Sequence, residues 1–169
     1  MSLFDKFKKS RKSETAITWP AAIGAAASGT VVPMEAIPDE VFSAGVLGTC
    51  IGIEPSEGKI YAPVDGKISQ LADTLHAIGL ETAGGIEVLI HVGIDTVDMN
   101  GDGFRGAVKE GAFVKAGDLL LTVDLDKIRA AEHAATVITV VTNSDDFSAV
   151  IPAASGEVSA SDMLLQVNK

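Results

Sequence analysis

The sequence contains one cysteine, Cys50, and few aromatic residues. A lone cysteine excludes a disulfide scaffold within the chain and is typical of proteins from a reducing compartment. Aromatic residues make up 5% of the chain and hydrophobic residues 47%, so the predicted core is built from Val, Ile, Leu and Ala. The 169 residues suffice for one domain with a full core and are too few for two comfortable ones.

Basic charge and long apolar runs are scarce as well. The formal net charge is −10, which argues against a nucleic-acid-binding protein because neutralising phosphates requires a cationic face. No apolar run approaches the ~18–20 residues of a membrane span, and the N-terminus lacks the apolar core of a signal peptide. We therefore expect an acidic cytoplasmic protein that binds no nucleic acid.

The N-terminal residues differ in charge from the rest of the chain. The first fourteen residues hold five basic and two acidic side chains, a net charge of +3, which leaves −13 for the remainder. Leu3, Phe4 and Phe7 stand at helical spacing among lysines, a pattern typical of an interfacial helix attracted to anionic lipid. A solvated basic tail is the alternative. We expect a basic, flexible tail over residues 1–18, with peripheral membrane contact through residues 1–13.

Residues 19–169 carry the pattern of a single β-rich domain. Seventeen Gly and six Pro are scattered along the chain, a spacing typical of many short strands and turns. A phrase of small residues, a Gly and a β-branched residue recurs at 26–31, 62–68 and 153–158. A different phrase at 108–118 predicts a hairpin between short strands.

Helix is predicted for only two short stretches. They are residues 38–42 and 125–132, and Asp124 or Asp126 is the expected N-cap of the second. The predicted fold class is therefore all-β, an antiparallel sandwich or barrel with minor short helices.

Two of the three histidines lie in apolar, strand-like stretches. His76 and His91 can meet if neighbouring strands carry them, whereas His133 has no such context and is expected to be a plain surface residue. Side chains alternate along the strand predicted for 87–93, and its three β-branched residues belong on the inner face. His91 then shares the outer face with an exposed Leu89, which favours a reactive histidine that meets a partner protein.

Three kinds of chemistry compete for this histidine pair. A zinc hydrolase would use His76, His91 and Asp95, but the sequence has no His-Glu-x-x-His helix. Hydrolysis by a serine or cysteine nucleophile lacks its motifs, and Cys50 alternates like a core residue. Phosphoryl carriage fits better, because one neutral imidazole can attack phosphorus while the other donates a hydrogen bond and is oriented by Thr74. Since no ATP-binding motif is present, the expected donor is another protein.

A longer pattern runs in order through roughly residues 20–150. Its phrases are 38–42 (PDEVF), 62–66 (APVDG), 74–77 (TLHA), 89–97 (LIHVGIDTV), 101–104 (GDGF), 110–118 (EGAFVKAGD) and 140–143 (VVTN). Together they closely resemble the glucose-type IIA component of the bacterial phosphoenolpyruvate-dependent sugar phosphotransferase system.

The resemblance implies an antiparallel β-sandwich of the duplicated hybrid motif type. It also implies that His91 accepts a phosphoryl group from the histidine phosphocarrier protein and passes it to a cysteine in the IIB part of a IIBC sugar permease. His76 would be the supporting imidazole, held by Thr74, and no cofactor would be required. Six residues are expected to contact partners, two acidic and four apolar: Asp39, Asp95, Val41, Phe42, Leu89 and Val97.

Two further expectations accompany the resemblance. One is a regulatory binding protein whose phosphorylation state at His91 gates transporters or metabolic enzymes. The other is zinc at a partner interface, held by His76 and His91 together with a carboxylate from the partner and water. The chain also departs from the family pattern, since Ala72 stands where some members carry a bulky apolar residue.

Overall fold

The computed structural model describes residues 17–169, which form antiparallel β-sheet with very little helix. Residues 17–169 contain two short α-helices, α1 (Glu40–Ser43) and α2 (Leu125–Ala130), and single 3-10 turns at 34–36, 96–99 and 144–146. The strands are β1 (Ala21–Gly24), β2 (Gly29–Val32), β3 (Thr49–Pro55), β4 (Lys59–Tyr61), β5 (Gly66–Leu71), β6 (Ala77–Glu81), β7 (Glu87–Val92), β8 (Phe104–Gly106), β9 (Phe113–Val114), β10 (Leu119–Val123), β11 (Val137–Val141), β12 (Ala149–Pro152), β13 (Glu157–Val158) and β14 (Met163–Asn168). The predicted all-β class with minor helices is confirmed.

The strands of the described region pair into three sheets, and every pairing is antiparallel. The largest sheet has eight strands in the order β13-β2-β3-β11-β7-β6-β5-β9. Two sheets of three strands have the orders β1-β14-β12 and β4-β10-β8. The main core holds buried residues from all three sheets and is made almost entirely of Ile, Leu, Val and Ala, as the composition predicts.

The eight-stranded sheet is covered on both faces around its central strand. All five residues of β11 are buried, and successive side chains point to opposite faces. Val137 and Val141 belong to the main core, whereas Ile138 and Val140 belong to a second, smaller apolar cluster. The other buried members of this outer cluster are Ile37, Phe42, Cys50 and Ile94. The segment around α1 therefore covers part of the face that the sequence assigned to solvent.

The strand of His91 alternates as predicted, with one difference. The even-numbered residues of β7 are buried and His91 is half-buried. Leu89 is half-buried instead of exposed, because it packs against the outer cluster. The expectation of an exposed Leu89 is thus wrong, since a covering segment distant in sequence reaches this face.

Two local predictions are corrected by the pairing and the helix ends. Residues 108–118 do not form a hairpin, because Phe113 pairs with Lys67 in β5 instead of with a strand inside that segment. The second helix ends at Ala130, two residues earlier than predicted. Its N-cap is Asp124, whose Oδ1 accepts the backbone N–H groups of the two residues that follow Leu125.

The predicted basic tail lies mostly outside the described residues. Its expected membrane contact through residues 1–13 therefore stays a prediction. Ile17 and Trp19 pack against the main core, at the start of the described part. Within residues 17–169, no helix is long and apolar enough to cross a membrane.

The core contains one polar group that we expect to reduce stability. Thr139 is fully buried in β11, opposite Ile51 and Ile90, and its hydroxyl has no hydrogen-bond partner among residues 17–169. Thr139→Val removes this unpaired group at nearly constant volume, so the free energy of unfolding should rise by about 1 kcal/mol. Chemical denaturation measures the change.

Thr82 provides the matched control for this prediction. Its buried hydroxyl accepts the backbone N–H of Ile86 at 3.0 Å, so Thr82→Val leaves a buried donor unpaired. The free energy of unfolding should then fall by about 1–3 kcal/mol. A loss of stability in Thr139→Val would contradict the assignment of an unpaired hydroxyl.

Candidate functional site

His91 lies near the end of β7 with one ring nitrogen engaged. Its Nδ1 is 2.7 Å from the carbonyl oxygen of Gly93. Because a carbonyl oxygen only accepts, Nδ1 carries the proton and the Nε2 lone pair is left for chemistry. Gly93 has φ +79°, and a Cβ there would lie 2.4 Å from Cγ2 of Thr96, so the turn that presents this carbonyl requires glycine.

His76 comes from the loop that joins β5 and β6, immediately before β6 begins. Its Nδ1 is 2.5 Å from the hydroxyl oxygen of Thr74, which confirms the predicted contact between these two side chains. The backbone carbonyl of His76 accepts the N–H of Val92 at 2.7 Å, so the loop is fastened to β7 beside His91.

The two imidazoles meet because β6 and β7 are neighbours, as the sequence predicts. Ala77 is the register partner of His91, which places His76 one step away. The ring centroids are 5.2 Å apart and the rings are nearly perpendicular, at 81°. Phe42 packs on the other side of His91, with its ring centroid 5.1 Å away.

Burial favours the neutral form of both histidines. Burial lowers the pKa of His76 below its usual value. Burial also lowers the pKa of His91, and the nearby ring of His76 acts in the same direction. The hydrogen bond to Gly93 and the carboxylates of Asp39 and Asp95 oppose this shift without cancelling it. The Nε2 atom of His91 therefore carries a free lone pair that can attack an electrophile.

The two predicted acidic residues reach the site by different routes. Asp39 is the N-cap of α1, where its Oδ1 accepts the N–H groups of Val41 at 2.9 Å and Phe42 at 3.1 Å. Asp95 has a left-handed backbone, φ +58°, at the start of the turn over 96–99. Asp39 thus has a structural function that the sequence reading did not include.

The predicted apolar contacts separate by exposure. Val41 and Val97 are 46% and 48% exposed, which suits residues that dock a partner. Phe42 is only 6% exposed and packs against His91, so it offers little surface. Phe42 was expected to contact partners, but the structure places it against the ring of His91, which it supports.

Two exposed apolar residues close to α1 were not predicted from the sequence. Val46 is 70% exposed and Leu47 is 41% exposed, and both lie in the turn that follows α1, after Ala44 and Gly45. The N–H of Val46 donates to the carbonyl of Val41, so the chain folds back beside that residue. A Val-Leu pair between two glycines, next to a predicted helix, is the signal that could have indicated them. We call Val41, Val46, Leu47 and Val97 the apolar rim.

The competing chemistries find no support in this arrangement. Burial raises the pKa of Cys50 to about 11, and its thiol donates to the carbonyl of Phe42, so it is a core residue as predicted. In the part of the chain that the structure describes, no three His, Cys, Asp or Glu side chains are grouped as metal ligands, so Asp95 does not complete a zinc hydrolase site. His133 is half-buried after α2 and is not part of the histidine pair.

Relatives with the same sequence pattern include both short and long chains. A glucose-specific EIIA component from Bacillus cereus is 46% identical over 118 residues, which are 70% of this chain and 72% of the relative. A beta-glucoside-specific EIIBCA component from Dickeya chrysanthemi is 48% identical over 140 residues, 83% of this chain. A glucosamine-specific EIICBA component from Bacillus subtilis is 52% identical over 113 residues, 67% of this chain. The chain spans only 22% and 18% of the lengths of these two larger relatives.

A solved structure has the same fold. The glucose permease IIA from Mycoplasma capricolum superposes with a TM-score of 0.76 at 32% identity, covering 86% of this chain and 94% of that one. The family model for the phosphoenolpyruvate-dependent sugar phosphotransferase system, EIIA 1, matches residues 21–147. The chain therefore belongs to this EIIA family.

Proposed function

We propose that the chain is a cytoplasmic phosphocarrier. His91 accepts a phosphoryl group from the phosphohistidine of a histidine phosphocarrier protein and passes it to a cysteine of a IIB domain. The observation that carries this proposal is the hydrogen bond from Nδ1 of His91 to Gly93, because it fixes the proton on one nitrogen and leaves the other nucleophilic.

The phosphoryl group moves directly from the imidazole of the donor to the imidazole of His91. The Nε2 lone pair of His91 forms a bond to phosphorus while the nitrogen–phosphorus bond of the donor breaks, and the donor ring keeps that electron pair. Positive charge develops on the His91 ring and is delocalised to Nδ1. The carbonyl of Gly93 accepts the Nδ1–H, and Asp39 and Asp95 also favour the charged ring. In the onward step a cysteine thiolate attacks phosphorus, and the electron pair returns to Nε2.

His76 supports the phosphoryl group in this scheme. When the Thr74 hydroxyl donates to Nδ1 of His76, the proton of the neutral ring sits on Nε2. That N–H can donate to a phosphoryl oxygen as charge develops on it. Phe42, a member of the outer apolar cluster, packs against His91 and limits access of water to that side of the ring, where water would otherwise hydrolyse the phosphohistidine.

The proposed partners dock on the apolar rim. Its four side chains are exposed and apolar, and two of them lie in the turn after α1, the helix whose Phe42 packs against the half-buried His91. The long relatives are described as EIIBCA and EIICBA components, so their IIA part shares one chain with B and C parts. On that ground we propose a IIB domain of a sugar permease as the acceptor.

We predict that His91→Ala takes up no phosphoryl group. The purified chain is incubated with phosphoenolpyruvate, enzyme I and the histidine phosphocarrier protein, and its mass is then measured. Wild type and the control His133→Ala should each gain one phosphoryl group. A phosphoryl group on His76 or His133 of the wild type would overturn the assignment, as would uptake by His91→Ala.

The variant His76→Gln tests whether His76 assists transfer of the phosphoryl group or accepts the group itself. Glutamine still donates a hydrogen bond but cannot act as an acid or base. The variant should be phosphorylated on His91, yet transfer to a IIB cysteine should be about 10²-fold slower. Single-turnover measurement of both transfers tests this, and equal onward rates in the variant and wild type would refute the supporting function.

We also propose that the histidine pair can hold zinc at a partner interface. Both Nδ1 atoms already have hydrogen-bond partners, which orients the rings as is common for metal-bound histidines and leaves two Nε2 atoms as ligands. For His76 the proton would move to Nδ1, and the Thr74 hydroxyl would then accept it. A carboxylate from a partner and water would complete a tetrahedron.

Calorimetry tests the zinc proposal. Zinc alone should bind weakly to the isolated chain and should strengthen binding of a partner that presents a carboxylate to the rim. His91→Ala should abolish the increase while leaving the zinc-free affinity in place. An affinity that does not depend on zinc for every partner tested would exclude the site.

A further inference from the structure

Leu75, between Thr74 and His76, has an unusual backbone conformation. Its φ is +62°, in the left-handed region that favours glycine and asparagine. The five-residue loop over 72–76 is closed by two hydrogen bonds. The N–H of Leu75 donates to the carbonyl of Ala72 at 2.8 Å, and the N–H of Ala72 donates to the carbonyl of Ala77 at 3.0 Å. Glycine is the expected residue at such a position, and the chain has leucine instead.

The left-handed residue brings its two neighbours close together. In an extended strand, the Cα atoms of residues i and i+2 are about 6.6 Å apart, a long reach for a threonine hydroxyl. In the observed loop, the hydroxyl oxygen of Thr74 is 2.5 Å from Nδ1 of His76. Since the carbonyl of His76 is held by Val92, the backbone turn at Leu75 decides whether Thr74 reaches the ring.

The side chain of Leu75 explains why this turn is held by leucine. It is half-buried against β8, where a Cβ added to Gly106 would lie 3.4 Å from Cδ2 and 3.6 Å from Cδ1 of Leu75. A Cβ added to Gly101 would lie 3.8 Å from Cα of Thr74. The loop therefore rests on two glycines of a neighbouring segment, and packing of the leucine methyl groups offsets the cost of the left-handed backbone.

We infer that Leu75 is a positioning residue for the reaction. By packing on Gly106 in a left-handed conformation, it holds the Thr74 hydroxyl against Nδ1 of His76, where in the zinc-free chain the hydroxyl donates and the ring proton stays on Nε2. This inference rests on the proposed function only in its kinetic consequence. The arrangement of the proton on His76 is a property of the unphosphorylated chain and can be measured independently.

Three variants distinguish the effect of the left-handed backbone at Leu75 from the effect of its side-chain packing. Leu75→Gly allows the left-handed turn at no steric cost but removes the packing on Gly106. Leu75→Met keeps a long apolar side chain for the same contact. Glu132→Gly is the matched control, because Glu132 is exposed, has φ +63° and lies after α2.

The first measurement is the ¹⁵N chemical shift of the imidazole nitrogens in the unphosphorylated protein. In wild type, His76 should show one tautomer with its proton on Nε2, and His91 one tautomer with its proton on Nδ1. In Leu75→Gly, the His76 signals should move towards a mixture of tautomers while those of His91 stay unchanged. Leu75→Met and Glu132→Gly should both keep the wild-type signals. His91 serves as the reference within each spectrum.

The second measurement is the rate of each transfer. Leu75→Gly should accept the phosphoryl group within about twofold of wild type and should pass it on about tenfold more slowly. Leu75→Met and Glu132→Gly should retain both rates. Combining Leu75→Gly with Thr74→Val should slow the onward step no further than Thr74→Val alone, since both changes remove the same hydrogen bond.

Each contrary result has a distinct meaning. If Leu75→Gly keeps the single His76 tautomer and the wild-type onward rate, the inference is wrong. If the signals of both histidines change together, Leu75 supports the fold in general and the inference is also wrong. If wild type accepts no phosphoryl group, the proposed function fails, while the tautomer measurement still decides the position of the proton.

Discussion

The antiparallel pairing of β6 with β7 is the constraint on which the site depends. It places Ala77 opposite His91, and the hydrogen bond from Val92 to the carbonyl of His76 fastens the preceding loop to the same strand. The 5.2 Å between the ring centroids follows from this register. A shift by one residue would turn His91 towards the main core, so the burial of the alternate residues in β7 also protects the geometry of the site.

Local patterns in the sequence predicted the parts of the structure that have local causes. Strict alternation along β7 was enough to predict the inner and outer faces, and the phrase around Thr74 was enough to predict its contact with His76. The same patterns failed at 108–118, where glycines suggested a hairpin but the strand found its partner in β5. Pairing between strands distant in sequence depends on the whole sheet, and a short phrase does not contain that information.

The outer cluster is the feature that the sequence concealed. Nothing in the residues around Leu89 indicates that Ile37 and Phe42, some fifty positions earlier, cover this face. Consequently Leu89 was expected to be exposed and Phe42 to contact partners, whereas Leu89 packs against the outer cluster and Phe42 packs against His91. The left-handed turn at Leu75 was hidden for a similar reason, because leucine gives no local signal for positive φ. Its conformation depends on packing against another strand.

The segment around α1 links the protonation state of His91 to the surface that a partner would meet. Phe42 contributes to the burial that lowers the pKa of His91, and Val41, one residue earlier, is exposed in the apolar rim. Because its pKa is lowered, His91 stays neutral at pH values at which an ordinary histidine would be protonated. The same shift has a cost for stability. As pH falls through about 6.5, His91 becomes protonated in the unfolded chain while it stays neutral in the folded chain. The folded state therefore loses stability in acid. A site that keeps its nucleophile neutral by burial must accept this loss, and Asp39 and Asp95 limit it by raising the pKa part of the way back.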